Sequence, residues 1–257
     1  MTSLNPTERF SDRVENYIKY RHDYPDALNT HLIERYGLVA DQTVADIGSG
    51  TGLLTKHFLE GGHQVYGVEP NAAMRTAAEH ILKPYNRFIS IDGKAEATTL
   101  PSGSIDWTVA SQAFHWFDHQ QTRHEFERIL KPNGQVAIIW NDRLESDSFQ
   151  QAYETFLQTH CPEYKQVNHR RVSHSSLTQF LKPRSMEVAT FDNAQLLDYE
   201  GLKGRLLSCS YAPKSDSPNY RIMLTELRNL FNRHSQQGKL YFRYQTKLFY
   251  FGVLPSQ

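Results

Sequence analysis

Short apolar runs alternate with helical patterns from about residue 43 to residue 141. The spacing predicts five strands, at 43–48, 64–69, 87–93, 104–112 and 135–141. It predicts helices between them at 53–62, 72–82 and 121–130, the last of which is stopped by the sequence KPNG. Strands and helices that alternate in this way form βαβ units around a parallel sheet. With right-handed crossovers, the prediction is a doubly wound α/β fold that binds ligands at the carboxyl ends of its strands.

The second half of the chain is less regular. It predicts helices at 149–160, 176–183, 199–210 and 219–234, a strand within 186–198 and a last strand at 239–253. In the helix 219–234 the apolar residues form one stripe, and in the last strand they alternate, so both elements should bury one face. No repeat or low-complexity linker separates these elements from the sheet. We therefore expect one sheet that carries helical insertions late in the chain.

Composition narrows the class of partner. Among 257 residues, 28 are basic and 28 are acidic, which argues against a protein held on nucleic acid by its overall field. The two cysteines, Cys161 and Cys209, form no C-x-x-C motif, and no secretory leader or bilayer-length apolar run is apparent. We expect a soluble, cytoplasmic protein without a membrane or nucleic-acid partner. The histidines lack zinc-site spacing, so no metal is predicted.

Three glycines crowd the end of the first predicted strand. Gly48, Gly50 and Gly52 are spaced G-x-G-x-G, which matches neither the P-loop nor the G-x-G-x-x-G dinucleotide pattern. Asp46 precedes them, and a carboxylate there disfavours a pyrophosphate but suits a cationic amino group. Glu69, after the second strand, is placed to accept the hydroxyls of a ribose. The combination indicates S-adenosylmethionine; the alternative is that the glycines only form a tight turn.

A series of motifs carries a family resemblance. The sequences VADIGSGTG, GVEPNAAM, GKAEATTLPSGSID, SQAFHWFD and ILKPNGQVAII resemble, in order and spacing, those of class I S-adenosylmethionine-dependent methyltransferases of the small-molecule type 11 group. The resemblance covers about residues 43–141. It implies a seven-stranded, mostly parallel, Rossmann-like sheet whose last strand is antiparallel, a role that 239–253 fits. Residues 9–25 resemble the group's cofactor-covering segment, although RHDYP replaces the usual RPxYP.

The resemblance also divides the chain. Residues 1–42 would form cofactor-covering helices, 43–145 the S-adenosylmethionine-binding core, and 146–257 the completion of the sheet with a helical substrate cap, all in one compact domain. It assigns the cofactor, with S-adenosylhomocysteine as product, to a set of residues that follow the strands or cover them. These are Tyr17, Arg21, Asp46, Gly48, Ser49, Gly50, Glu69, Pro70, Asn71, Met74, Ala95, Glu96, Ser111 and Gln112. Asn71 could instead be only a helix cap, and Met74 only a core residue.

Acceptor-side residues are expected after the fourth and fifth strands and in the late helices. They are Trp116, Asn141, Arg143, Ser210 and Tyr211. His115 is the candidate catalytic base, or else it packs over the cofactor and only donates a hydrogen bond. Arg143, and with it Arg21, could pair with an acid group of the substrate. The expected reaction is in-line methyl transfer to a small carboxylate or hydroxyl acceptor.

Two other functions fit the same sequence. A sensor or partner subunit could bind S-adenosylmethionine or its demethylated product without catalysis, because binding residues do not prove turnover. A nicotinamide-dependent oxidoreductase is a lesser alternative, since its glycine spacing differs. The acceptor's identity is set by the late helical insertions, which carry no motif that specifies it. A monomer and a homodimer are equally compatible with the sequence.

Overall fold

The structure is a computed structural model that describes residues 13–165 and 174–252. It contains a seven-stranded sheet in the order β3-β2-β1-β4-β5-β7-β6. The strands are β1 (Thr43–Ile47), β2 (Gln64–Val68), β3 (Phe88–Ile91), β4 (Ile105–Ser111), β5 (Leu130–Arg143), β6 (Met186–Leu197) and β7 (Leu240–Phe251). Strands β1 to β5 pair in parallel, whereas β7 lies antiparallel between β5 and β6. The predicted doubly wound fold with an antiparallel last strand is confirmed.

Helices cover both faces of this sheet and its carboxyl edge. They are α1 (Val14–Tyr20), α2 (Asp26–Tyr36), α3 (Leu53–Glu60), α4 (Ala72–Ile81), α5 (His119–Ile129), α6 (Ser148–His160), α7 (His174–Phe180), α8 (Tyr199–Leu207) and α9 (Tyr220–His234). A 3₁₀ turn spans Phe114–Trp116. Within 13–165 and 174–252, no helix has the length and apolar character needed to cross a bilayer. Of the predicted covering segment 9–25, residues 9–12 lie outside the described residues.

The fifth strand begins earlier than the sequence predicts. Strand β5 starts at Leu130, so the KPNG sequence lies within the strand and does not separate it from helix α5. The register shifts there, because Leu130 pairs with Ile105 and the next pair is Gln135 with Trp107. A bulge of this kind accommodates extra residues, including a proline that cannot donate to the ladder. Helix α5 also starts two residues early, since the Asp118 carboxylate accepts hydrogen bonds from two backbone N–H groups of its first turn.

The core lies on both sides of the central strands, with a third cluster under the late helices. The predicted stripe of α9 is buried at Met223, Leu227, Leu230 and Phe231, and it packs in the same cluster as Phe242 of β7. Burying one such side chain contributes about 1.5–3 kcal/mol. Packing against the sheet therefore fixes the position of the late helices α8 and α9. These helices form one side of the space above the carboxyl ends of the strands.

Helix α1 closes that space from the other side. Gly204 of α8 lets α1 approach so closely that a Cβ atom at this position would overlap the Tyr20 ring. Arg13 donates hydrogen bonds to the backbone carbonyls of Cys209 and Ala212, which follow α8. Arg21, at the end of α1, donates to the carbonyl of Ser208 at 3.3 Å. These contacts hold α1 over the carboxyl ends of the strands.

Candidate active site

The loop between β1 and α3 forms the floor of the site. Gly48, Gly50 and Gly52 all adopt positive φ angles, of 71°, 57° and 84°. A Cβ atom at Gly48 would lie 2.6 Å from the Cβ atom of Ala113, whereas one at Gly50 would meet no atom within 4 Å. Gly48 is therefore required by both its backbone conformation and its packing. Gly50 leaves its side of the loop open to the space above it.

Asp46 lies fully buried at the end of β1, below the glycine loop. Its Oδ2 accepts a 2.7 Å hydrogen bond from the Thr55 hydroxyl. Its Oδ1 has no hydrogen-bond partner among the residues that the structure describes. Burial raises the pKa of Asp46 to about 7, and the nearby Glu69 adds to this effect. A buried carboxyl group with one unused oxygen suits a cationic group of a ligand.

Glu69 faces the same loop from the end of β2. Its Oε2 accepts a hydrogen bond from the Gly50 N–H at 3.0 Å, and its Oε1 accepts one from the Asn71 N–H at 2.8 Å. Burial raises the pKa of Glu69, while these two N–H donors act in the opposite direction. Each oxygen keeps a further lone pair, so the carboxylate can also accept hydrogen bonds from ligand hydroxyls.

A cavity of about 280 Å³ opens above these residues, and we call it the glycine-loop cavity. Most of the residues predicted to hold the cofactor line it, together with Trp116, which was predicted on the acceptor side, and three residues that the sequence analysis did not single out. The lining is Tyr17, Gly48, Gly50, Glu69, Pro70, Met74, Lys94, Ala95, Glu96, Ser111, Gln112, Ala113, Trp116 and Phe117. The charged floor and apolar walls fit S-adenosylmethionine.

Four predicted cofactor residues lie elsewhere. Asp46 is beneath the loop, and Ser49 donates its N–H to the Val68 carbonyl at the loop's base. Asn71 caps helix α4, because its side chain accepts a hydrogen bond from the Met74 N–H at 3.0 Å. Arg21 lines a second cavity.

The second cavity, which we call the cap cavity, has a volume of about 210 Å³. Residues from α1, α8, the ends of β4 and β5, and β7 surround it. The lining is Tyr17, Arg21, His22, Tyr24, Leu53, Gln112, His115, Trp116, Trp140, Asn141, Asp142, Arg143, Tyr164, Arg205, Cys209, Ser210, Tyr211 and Tyr244. The structure thus brings together His115 and all five of the predicted acceptor-side residues.

Three residues line both cavities: Tyr17, Gln112 and Trp116. Gln112 directly follows β4 and adopts a positive φ of 54°, which is unusual for a residue with a side chain. Its backbone N–H donates to the backbone carbonyl of Ile139, and its side-chain amide donates to the backbone carbonyl of Asn141 at 3.2 Å. Strained residues of this kind concentrate at functional sites, and Gln112 stands where the two cavities meet.

His115 lies on the 3₁₀ turn beside this junction. Its ring packs against Trp116, with 4.6 Å between centroids, and against Trp140 at 5.2 Å. His115 lines the cap cavity and does not line the glycine-loop cavity. Its position suits contact with an acceptor, as a base or as a hydrogen-bonding group.

Arg143 is already paired. Its guanidinium contacts the Glu154 carboxylate and donates to the Tyr164 hydroxyl at 2.9 Å, while that hydroxyl donates to Glu154 at 2.7 Å. Asn141 is also engaged, since it accepts from the Thr246 hydroxyl at 2.5 Å. Asp142 pairs with Lys247 at 2.6 Å. Among the described parts of the chain, no group of three metal-ligating side chains is present.

Arg205 is the feature of the cap cavity that the sequence interpretation missed. It lies on α8, is 8% exposed, and donates to the Tyr244 hydroxyl at 2.6 Å and to the Cys209 sulfur at 2.9 Å. The available signal was its place among the buried residues Leu202 and Leu206 of the same short helix. A cation on a face that packs inward indicates a buried role.

Comparison with known proteins finds similarity to methyltransferases. The family model described as a methyltransferase domain matches residues 45–138. An uncharacterized methyltransferase from Geobacillus sp. (strain WCH70) is 31% identical over 154 residues, which are 57% of this chain and 69% of that protein. The chain spans about half the length of other curated relatives that it matches.

Solved structures share the fold. A proposed type II methyltransferase from Anaeromyxobacter dehalogenans has a TM-score of 0.65 and 21% identity, covering 92% of this chain and all of that one. A phosphoethanolamine N-methyltransferase 2 from Haemonchus contortus, in complex with phosphomonomethylethanolamine and S-adenosylhomocysteine, has a TM-score of 0.58 and 15% identity. That match covers 97% of this chain and 58% of the other.

Proposed function

The chain belongs to the class I S-adenosylmethionine-dependent methyltransferases, in the type 11 group, and from this premise we propose that it methylates a small molecule bound in the cap cavity. The observation that carries the proposal is the meeting of two cavities at Tyr17, Gln112 and Trp116. One cavity has a charged floor suited to the cofactor, and the other is small, aromatic and bordered by His115. The acceptor atom is proposed to be a carboxylate or hydroxyl oxygen.

Asp46, Glu69 and the glycine loop would hold the cofactor. S-adenosylmethionine supplies a methyl group on a sulfonium, which is already activated for displacement. The protein's task is therefore to orient the acceptor in line with that methyl group and to exclude water. Asp46 would bind the amino group through its free Oδ1, and Glu69 would accept the ribose hydroxyls while it braces Gly50.

The cap cavity would position the acceptor. Its volume of about 210 Å³ is below the range of roughly 300–1,000 Å³ that is typical of ligand pockets, which favours a small acceptor. Trp116, Trp140 and Tyr17 line it with aromatic surface, and such rings also favour a nearby sulfonium by cation–π attraction. The balanced charge of the chain supports a small acceptor over a nucleic acid. We expect a cytoplasmic monomer or homodimer.

His115 has a role only if the acceptor must lose a proton. A carboxylate acceptor needs no base, whereas a hydroxyl acceptor does, and base catalysis of this kind is worth about 10²–10⁴-fold. The packing of His115 against Trp116 and Trp140 equally suits a residue that only shapes the cavity. The His115→Gln variant separates these roles: full turnover at every pH would exclude the base.

Calorimetric titration with S-adenosylmethionine, S-adenosylhomocysteine and NAD tests the cofactor. We expect the first two to bind and NAD not to bind, with binding weakened in Asp46→Ala and Glu69→Ala. Transfer of a labelled methyl group to a pool of small acids and phenols then tests catalysis. Binding without transfer to any acceptor would favour a sensor or partner subunit, and binding of NAD alone would refute the proposal.

A further inference from the structure

Three arginines line the cap cavity, and their charges are balanced differently. Arg143 is paired with the buried carboxylate of Glu154. For Arg21 and Arg205, no carboxylate lies within ion-pairing distance in the parts of the chain that the structure describes. Arg205 is the more deeply buried of the two, with 8% of its surface exposed. The cavity therefore contains two cationic groups without a carboxylate partner.

The contacts of Arg205 stabilise its position, and none of them is with a carboxylate. Its Nε donates to the Tyr244 hydroxyl and its Nη1 donates to the Cys209 sulfur. Its guanidinium lies 5.2 Å from the centroid of the Phe242 ring and 5.6 Å from that of Tyr244. A guanidinium stays charged in proteins, and a buried charge without a countercharge is destabilising. Arg205 therefore destabilises the folded state at a helix position where an apolar residue could also pack.

The titratable groups around Arg205 respond to its charge. Burial alone would raise the pKa of the Cys209 thiol, but Arg205 and then Arg21 lower it to about 7. Burial and Arg205 lower the pKa of His22 to about 4, so this ring is neutral at pH 7. Asp142 also lines the cavity, but it pairs with Lys247 at 2.6 Å. A Cys209 thiol that is partly ionised at pH 7 offsets only part of the charge of Arg21 and Arg205, so the cap cavity keeps an excess of positive charge.

We propose that Arg205 binds a carboxylate of the methyl acceptor, with Arg21 as its second ligand, and so restricts the acceptor to small organic acids. This inference rests on the proposed function and adds the residue that selects the substrate. Arg205 Nη2 makes no hydrogen bond to a described residue, and neither does Arg21 Nη1. These two guanidinium nitrogens, one from the end of α1 and one from α8, would each donate to one oxygen of the carboxylate.

The position of the pair suits anchoring of the acceptor. Arg205 lines only the cap cavity, whereas the Arg21 guanidinium lies 4.7 Å from the centroid of the Tyr17 ring, which borders both cavities. An acid held by Arg205 would direct the remainder of the molecule, or its second carboxylate, toward that shared wall. Arg205 is therefore a binding residue that sets specificity.

The test compares acids with their uncharged amides on protein saturated with S-adenosylhomocysteine. Calorimetry would measure the binding of hexanoate, 3-phenylpropionate and glutarate, of the matching amides, and of phenyl phosphate. We expect at least one acid to bind the wild type about 10–100-fold more tightly than its amide, as a hydrogen-bonded charge predicts. The Arg205→Met variant should lose this preference, and Arg205→Lys should keep part of it. Arg123→Gln, which changes an exposed arginine of α5, is the matched control and should behave as the wild type.

Two further measurements keep the outcomes separate. Arg205→Met removes a buried charge that has no carboxylate partner, so its melting temperature should equal or exceed that of the wild type, and it should still bind S-adenosylhomocysteine. The proposal is wrong if no acid binds better than its amide, or if the preference survives in Arg205→Met but is lost in Arg143→Gln. Binding of phenyl phosphate without binding of any carboxylate would also overturn it. Failure of the wild type to bind S-adenosylhomocysteine would instead refute the proposed function.

Discussion

Asp46 should make the binding of S-adenosylmethionine depend on pH. Its carboxyl group is fully buried, its pKa is raised by burial to about 7, and its Oδ1 has no partner within the described residues. A cationic amino group placed against that oxygen favours the ionised form, so binding should lower this pKa. Below pH 7 the protein must therefore lose a proton from Asp46 before it can hold the amino group.

The size of the effect follows from the ionised fraction. With a pKa of about 7, about half of Asp46 is ionised at pH 7.0 and about 3% at pH 5.5. The dissociation constant for S-adenosylmethionine should thus rise about 15-fold over this interval. Above about pH 8 the ligand's own α-amino group loses its proton, so the test is confined to the acidic side.

Calorimetry at pH 5.5, 6.0, 6.5 and 7.0 measures both the dissociation constant and the number of protons released on binding. The dissociation constant should rise as described. At pH 6.0, the heat should differ between buffers of different ionisation enthalpy by an amount that corresponds to nearly one released proton. The Asp46→Asn variant should bind more weakly at pH 7.0 and lose the dependence. Affinity that is constant across this range in the wild type, or a dependence that persists in Asp46→Asn, would refute the role of Asp46.

The same group makes an independent prediction about stability without ligand. The folded state keeps its proton up to about pH 7, whereas an unfolded Asp ionises near pH 3.8, so between these values the folded state binds more protons. Stability should therefore fall as pH rises through this window, by up to about 4 kcal/mol in total. Asp46→Asn should abolish that loss and should be more stable than the wild type at pH 8, as measured by urea unfolding.

Three further substitutions test the geometry. Glu69→Gln places an amide where a carboxylate accepts two N–H groups, so affinity for S-adenosylmethionine should fall about 10–100-fold in calorimetry. Gly48→Ala combines a positive φ with a methyl–methyl overlap and should lower the unfolding free energy by about 2–4 kcal/mol. Gly50→Ala has only the positive φ and should lower it by about 1–2 kcal/mol. Equal decreases in the two variants would contradict this reasoning. Gly204→Ala should displace helix α1 and weaken cofactor binding, and adding Tyr20→Ala should restore part of it.

The elements of the sheet and the glycine-loop cavity were predictable from sequence because their determinants are local. The alternation of apolar runs identifies β1 to β5; Asp46 lies near the end of β1, and Glu69 directly follows β2. The start of β5 was not predictable, because the sequence KPNG is typical of a turn. Only the pairing of Leu130 with Ile105 shows that the strand begins before it.

The cap cavity depends on contacts between distant parts of the chain, and there the sequence analysis named Arg143 and Arg21 but not Arg205. Arg143 lies at the carboxyl end of β5, where ligand-binding residues are expected, but it is paired with Glu154 of α6. Arg205 lies within a helix, and its lack of a carboxylate partner emerges only when α1, α8 and β7 are assembled. No pattern in the sequence alone distinguishes a paired arginine from an unpaired one.

A buried carboxyl group, Asp46, lies beneath the glycine-loop cavity, and a buried cation, Arg205, lines the cap cavity. Asp46 is costly to ionise in the absence of a cation, and Arg205 is costly to bury in the absence of an anion. Binding of a ligand of the opposite charge lowers the free energy that each buried charge costs. The decrease in this free energy adds to the affinity for the ligand. Because Gln112 and Trp116 form the shared wall, a cation held at Asp46 and an anion held at Arg205 would approach it from opposite sides. Under the proposed function, this placement of charge would select the two ligands separately and orient them toward one another.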